Sequence, residues 1–260
     1  MELWKLRKMG IKRTVRRSVF PGRGHRNIPY KKFYWICKTS ECIWNISLGV
    51  GRKPFRYQLL WKTGIYEYFN SLAYPYVGVT VTVDITALLA FIRAKKLPFF
   101  LTICYCVSRA ANQVSEFKQR ILNNQIVEYD YCLTSHAVAL SDGTYCYCDL
   151  DSNLSFDDYI SYAAREQEKA KQQNSINEEE DDILGKIFIS TIPWISYTAL
   201  INPTPVPADS NPRITWGKYF MQNNKVLLPI SVLCHHALID GLHISKFYEF
   251  LDKEIITIIR

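Results

Sequence analysis

Residues 226–243 read VLLPISVLCHHALIDGLH. The apolar run from Val226 to Cys234 has the length of a buried strand, and Pro229 interrupts it far short of the roughly 20 residues that a membrane helix needs. A titratable cluster stands where the run ends. His235 and His236 are adjacent, so if the strand continues to them their rings leave on opposite sides and only one can enter a given cleft. Asp240-Gly241 supplies a turn in which glycine permits a positive φ or a close backbone approach, and Asp240 can cap a helix that begins near Leu242. The next stretch, ISKFYEFLDKEIITII, turns Phe247, Phe250, Leu251 and Ile255 toward a core. Spacing leaves two readings open: a catalytic imidazole, or two core histidines with a cap and a hinge glycine.

Upstream, YVGVTVTVDIT from Tyr76 alternates apolar and polar residues as a strand with one buried face. Thr86 reads as the N-cap of a short helix with Leu88, Leu89 and Ile92 on its inner face. A second helix follows Pro98, with Leu101, Cys104, Tyr105 and Ser108 at helical period. Asn123-Asn124-Gln125 reads as a hairpin turn between strands at 117–122 and 126–131. CLTSHAVAL and TYCYCDL form two further strands around Ser141-Asp142-Gly143, with Cys146 and Cys148 on one side. An exposed helix, FDDYISYAAREQEKAKQQ, runs into the acidic 177–182 segment, a solvated loop. The last third holds KIFIST, WISYTAL, a Pro-rich connection NPTPVPADSNP, RITWGKYF and the strand before the histidines. Long strands set apart from a few helices predict an α+β domain, a large mixed β-sheet flanked by helices.

Composition narrows the function classes. The 260 residues are 48% hydrophobic and 22% charged, which suits a large core, and 11 Gly with 11 Pro exclude a collagen-like or low-complexity chain. The net charge of +8 is unevenly spread. Residues 1–56 hold 15 Lys or Arg against Glu2 and Glu41, a net of +13, which leaves the 57–260 body at −5. The basic arm carries no helix-turn-helix, zinc-finger or RNA-recognition pattern, so nucleic-acid binding is not expected, and 1–56 reads as a poorly ordered or non-native extension. No apolar core marks a secretory leader and no membrane partner is expected, which places the chain in the cytoplasm. Cys104/Cys106 and Cys146/Cys148 are CxC pairs without the CxxC hooks of zinc sites, so no metal is expected and the eight cysteines read as reduced.

HHALIDG at 235–241 fits the HHxxxDG motif of the chloramphenicol acetyltransferases and resembles the HxxxDG signature of other CoA-dependent acyltransferases. Ser190-Thr-Ile-Pro-Trp194 resembles that family's SxxPW strand, and Thr215-Trp-Gly-Lys218-Tyr219 its TxGKY-like strand. Val83 to Thr86, Glu116-Phe117 and LLPISV agree in the same order, so the resemblance spans Trp61 to Phe250. It implies the family's α/β sandwich over residues 57–260 and an acyltransferase of class EC 2.3.1, moving acetyl from acetyl-CoA to a hydroxyl of chloramphenicol in antibiotic resistance. It further implies His236 as general base, Ser190 as oxyanion donor, Thr215 stabilising the transition state through water, Asp240 as a further catalytic-site residue, and Lys218 near the CoA phosphate. The implied assembly is a homotrimer with active sites between subunits, the base coming from one and most of the acceptor pocket from its neighbour. Thr63 stands where the family has the arginine that pairs with the residue at Asp240; Lys62 or Arg56 would have to replace it. The alternatives are transfer to another hydroxyl or thiol acceptor, or a degenerate homologue that binds without turnover.

Overall fold

The computed structural model describes residues 64–173 and 183–260, preceded by the backbone of strands β1 (Phe33–Lys38), β2 (Glu41–Ile46) and β3 (Arg56–Tyr57). All of these belong to one unit, Phe33–Arg260. β1 and β2 pair only with each other, antiparallel. The expectation for residues 1–56 otherwise lies outside the described residues, as does that for the acidic 177–182 loop.

Helix α1 (Ile65–Asn70) leads into β4 (Tyr76–Asp84), α2 (Thr86–Lys95) and α3 (Phe99–Gln113). Thr86 is the first helical residue rather than the cap. The Asp84 carboxylate in front of it accepts both the Thr86 N–H (3.0 Å) and its hydroxyl (2.6 Å), which holds Asp84 at a pKa of about 2. A hairpin follows, β5 (Gln119–Leu122) and β6 (Gln125–Glu128), with Asn123 and Asn124 both at positive φ as its two-residue turn requires. β3 adds to β6 to complete a small three-stranded sheet. Then come β7 (Leu133–Ala139), β8 (Tyr145–Leu150), α4 (Phe156–Gln173), β9 (Lys186–Ile192), β10 (Arg213–Gly217), β11 (Phe220–Gln222), β12 (Lys225–His235) and α5 (Gly241–Ile259).

Seven strands build the main sheet. β4 and β10 flank β12 antiparallel, β10 and β7 run parallel to β9, and β8 closes the far edge antiparallel to β7. The sheet is therefore mixed, as expected. RITWGKYF, read as one strand, is two: β10 pairs with β12 as far as Trp216 opposite Ile230, and β11 resumes at Phe220 opposite Leu227. Pro229 falls in that interval, where the absent N–H costs no ladder bond to β10. The expected strand WISYTAL is instead irregular chain, with Trp194 and Ile195 on the surface. At Ile195 its backbone is tied to the sheet edge, the N–H donating to the Ile192 carbonyl at 3.5 Å and the carbonyl accepting the Lys218 N–H at 2.8 Å.

The helices cover one face. Leu228, Ile230, Val232 and Cys234 of β12 alternate toward them and join Cys104 and Val107 of α3 and Phe247, Leu251 and Ile255 of α5 in one core. Phe117 stacks on Phe247 at 5.4 Å between ring centres. Each such side chain contributes roughly 1.5–3 kcal/mol by leaving water. α4 is less exposed than its charges suggest, because Tyr159 and Ala163 are fully buried under it. By register the opposite face carries Thr80, Ser231, Thr215 and Ser190 in one row across four strands.

Candidate active site

His236 is the first residue beyond β12. Its backbone N–H donates to the Pro75 carbonyl at 2.7 Å, which ties the strand end to the start of β4. The Leu238 and Ile239 N–H groups both donate to the His235 carbonyl, at 3.0 and 3.1 Å, so the chain folds back over the ring. The Ile239 carbonyl thereby comes to 3.0 Å from His236 Nδ1. A carbonyl oxygen can only accept, so Nδ1 carries the ring proton and Nε2 keeps the lone pair. Phe69 of α1 stacks on the half-buried ring, 3.9 Å between centres and 28° between planes.

His235 is the other half of the pair and has a different environment. It is buried, its ring meets Tyr76 edge-on at 5.8 Å, and its Nδ1 accepts the Ala237 N–H at 3.3 Å. Burial lowers its pKa to about 4, which keeps it neutral. The alternation expected from adjacent histidines therefore leaves His236 as the accessible one.

Asp240 caps α5 as expected, its carboxylate accepting the Leu242 N–H at 2.9 Å and the His243 N–H at 3.3 Å. The His243 ring completes the cap, its Nδ1 accepting the Asp240 N–H at 3.1 Å, and its Nε2 lies 3.4 Å from Glu116. Gly241 is an ordinary first helical residue: it has no positive φ, and a Cβ there would meet nothing within 4 Å. It is neither a hinge nor a close approach, contrary to the expectation. Thr63 and Lys62, and the side chain of Arg56, lie outside the described residues.

On the sheet face away from the helices, Thr80 Oγ1 and Ser231 Oγ are 2.7 Å apart. Thr215 is buried beside them and Ser190, at the end of the row, is exposed. Tyr197 covers the row from the irregular segment, its hydroxyl donating to the Thr215 carbonyl at 2.9 Å and accepting from Ser231 at 3.4 Å. Its ring lies over Gly217, where a Cβ would come within 2.8 Å of it. Beside it opens a cleft of about 440 Å³ lined by Thr82, Ser196, Tyr197, Thr198, Ala199 and Phe220. Lys218 is exposed just past β10, held by its own N–H to Ile195 and by the Ser196 hydroxyl on its carbonyl at 2.7 Å.

The structure thus brings Thr215 and Ser190 together and sets His236 apart from them. His236 is five residues along β12 from Ser231, and Ser190 is two strands across. At 3.3 Å per residue and 4.8 Å per strand the two residues are about 20 Å apart in one chain. Sequence reading missed Phe69, Tyr197 and the partners Thr80 and Ser231. Ser231 at an inward position of an otherwise apolar strand was the available signal. Among the described residues no group of three or more His, Cys, Asp or Glu is placed to hold a metal ion. The six described cysteines are buried and reduced, and burial raises the Cys104 thiol to about 11 and Cys148 to about 12.

The family model for chloramphenicol acetyltransferase matches residues 60–252. A chloramphenicol acetyltransferase of Clostridium perfringens is 29% identical over 199 residues, 70% of this chain and 84% of the relative. A second from the same species is 30% identical, covering 73% and 90%. Among solved structures, a chloramphenicol acetyltransferase superposes with a TM-score of 0.69 at 22% identity, covering 76% of this chain and 99% of the other. A dihydrolipoamide acetyltransferase of Azotobacter vinelandii gives 0.56 at 22% identity, covering 74% and 86%. Both of these show the shared fold.

Proposed function

The chain belongs to the chloramphenicol acetyltransferase family and is an acyltransferase, and on that premise we propose that it moves acetyl from acetyl-CoA to a hydroxyl of chloramphenicol with His236 as general base. The observation that carries this reading is the hydrogen bond from His236 Nδ1 to the Ile239 carbonyl, which leaves the Nε2 lone pair for a substrate proton. An aliphatic alcohol is almost wholly protonated at neutral pH and attacks a thioester poorly. Nε2 takes the hydroxyl proton as the alcohol oxygen bonds to the thioester carbonyl carbon. The carbonyl π electrons move to oxygen, and the Ser190 hydroxyl donates to that oxyanion, with Thr215 ordering a bridging water beside it. The carbonyl re-forms as the C–S bond breaks, the pair leaves with sulfur, and the imidazolium returns its proton to give the CoA thiol. Lys218, at the exposed end of β10, faces the CoA phosphates as a point charge.

The separation of about 20 Å between His236 and Ser190 in one chain supports a site completed by a second copy. His236 of one subunit then meets Ser190 and Thr215 of its neighbour, in a homotrimer. The test is thiol release from acetyl-CoA in the presence of chloramphenicol, with the product identified by mass. An O-acetylated antibiotic is expected. A trimer that binds acetyl-CoA yet leaves chloramphenicol unmodified contradicts the acceptor, and a panel of other alcohols and thiols then identifies the replacement.

A further inference from the structure

We propose that Asp209 and Arg213, bridged by Tyr76, are a positioning pair that holds the acceptor side of the site and so sets acceptor affinity without touching acetyl-CoA. This deepens the function proposed above and rests on it. The hydroxyl row has a neighbour row on either side along the strands. Toward Gly217 it is closed by Tyr197 and leads past the 440 Å³ cleft to Lys218, the side assigned to CoA. One step the other way along the strands, the same sheet face carries Phe188, Arg213 and Leu233 as neighbours. An acceptor whose hydroxyl lies at Thr215 and Ser190 extends over this second row.

Arg213 is fixed there with unusual completeness. Its guanidinium grips Asp209 with both ends, Nη1 to Oδ1 at 2.8 Å and Nη2 to Oδ2 at 2.7 Å, and Nη1 also donates to the Asn211 carbonyl at 3.2 Å. It lies between two rings, 5.9 Å from Tyr76 and 5.4 Å from Phe188. The Tyr76 hydroxyl donates to the Asp209 carboxylate at 2.9 Å and accepts the Asp209 N–H at 3.0 Å. Tyr76 follows Pro75, whose carbonyl holds the His236 N–H, and it is the register partner of His235. One ion pair thus joins the start of β4, the strand end bearing the histidines and the Pro-rich connection.

The connection shows what the pair controls. Its first part is exposed, with Val206 almost wholly in solvent. From Asp209 on it is anchored: Ser210 is buried and its hydroxyl accepts the Ile121 N–H at 2.9 Å, and the buried Asn211 amide donates to the Ile183 and Lys186 carbonyls at 2.8 and 2.9 Å. Asp209 is the point at which the anchored half begins, so breaking its fork frees the wall beside the second row. Charge alone does not replace the fork, because a lysine cannot bond both carboxylate oxygens in one plane.

The test is two-substrate kinetics on full-length wild type and the Asp209→Asn, Arg213→Lys and Tyr76→Phe variants, with Kd for chloramphenicol by calorimetry on the same proteins. Asp209→Asn and Arg213→Lys are expected to raise KM and Kd for chloramphenicol at least tenfold, with KM for acetyl-CoA within twofold of wild type. Tyr76→Phe, which keeps the ring, is expected to give a smaller shift of the same kind. The Asp209→Asn/Arg213→Lys double variant is expected to be no worse than the worse single one. Acceptor affinity unchanged in all three variants, or parallel loss for both substrates, overturns the proposal. An Arg213-dependent Kd in a wild type that transfers no acetyl group supports the positioning pair and refutes the catalytic reading, so the two failures are separable.

Discussion

At the scale of the residue, the two histidines have identical chemistry and different surroundings, and the backbone decides between them. His235 ends a ladder pair with Tyr76 and is buried, whereas His236 lies one residue further, where the chain turns and the Ile239 carbonyl becomes available to Nδ1. Phe69 then fixes the ring plane. Ser190 is exposed and Thr215 is buried, so in the proposed reaction only Ser190 meets the carbonyl directly. Removing one preorganised oxyanion donor typically raises a barrier by about 3 kcal/mol. Ser190→Ala is therefore expected to lower kcat about 100-fold with little change in KM for either substrate, read by steady-state thiol release; a loss below threefold removes Ser190 from the mechanism.

At the scale of the element, glycine separates what the motif suggests from what the chain needs. Gly241 sits in the most conspicuous motif yet has room for a side chain, whereas Gly217 lies under the Tyr197 ring, with the Ile195 carbonyl 2.9 Å from where a Cβ would stand. Gly241→Ala is expected to leave stability unchanged or raise it by up to about 1 kcal/mol through helix propensity, and Gly217→Ala to lower it by 1–3 kcal/mol, roughly the cost of overpacking. Urea denaturation of both variants checks this pair. The same contrast shows what was legible in the sequence. Alternation, helical period and, for β12, an unbroken apolar run located β4, β7, β8, β9, β12 and all of α2 to α5, because each holds its apolar residues in one local pattern. WISYTAL failed because Trp194 and Ile195 lie on the surface while Tyr197 packs on Gly217 and Thr215, so its apolar residues form no buried row, and local pattern cannot tell this from a strand. The motif residues His236, Ser190, Thr215 and Asp240 were legible. The Tyr76–Asp209–Arg213 cluster was not, since it joins positions more than 130 residues apart that carry no local signal.

At the scale of the whole molecule, the sheet carries the core on one face and the hydroxyl row on the other, and under the proposed function a neighbouring copy completes the site. Two buried histidines tie stability to pH. His136, under Phe100 and Gln167, and His235 both have pKa values lowered to about 4 by burial. The unfolded chain takes up protons near the ordinary 6.5 while the folded one does not, so stability is full above pH 6.5 and falls as pH drops toward 4. The expected loss is about 2 kcal/mol per histidine between pH 7 and 5, seen as a drop in unfolding free energy that His136→Gln partly abolishes. No helix among the described residues is long and apolar enough to cross a membrane. The proposed reaction depends on His236 Nε2 accepting the hydroxyl proton. The direct measurement is the rate of thiol release by His236→Ala beside wild type, with oligomeric mass and Tm recorded for both. A fall of about 1,000-fold with mass and Tm preserved is the expected result; turnover equal to wild type contradicts the account.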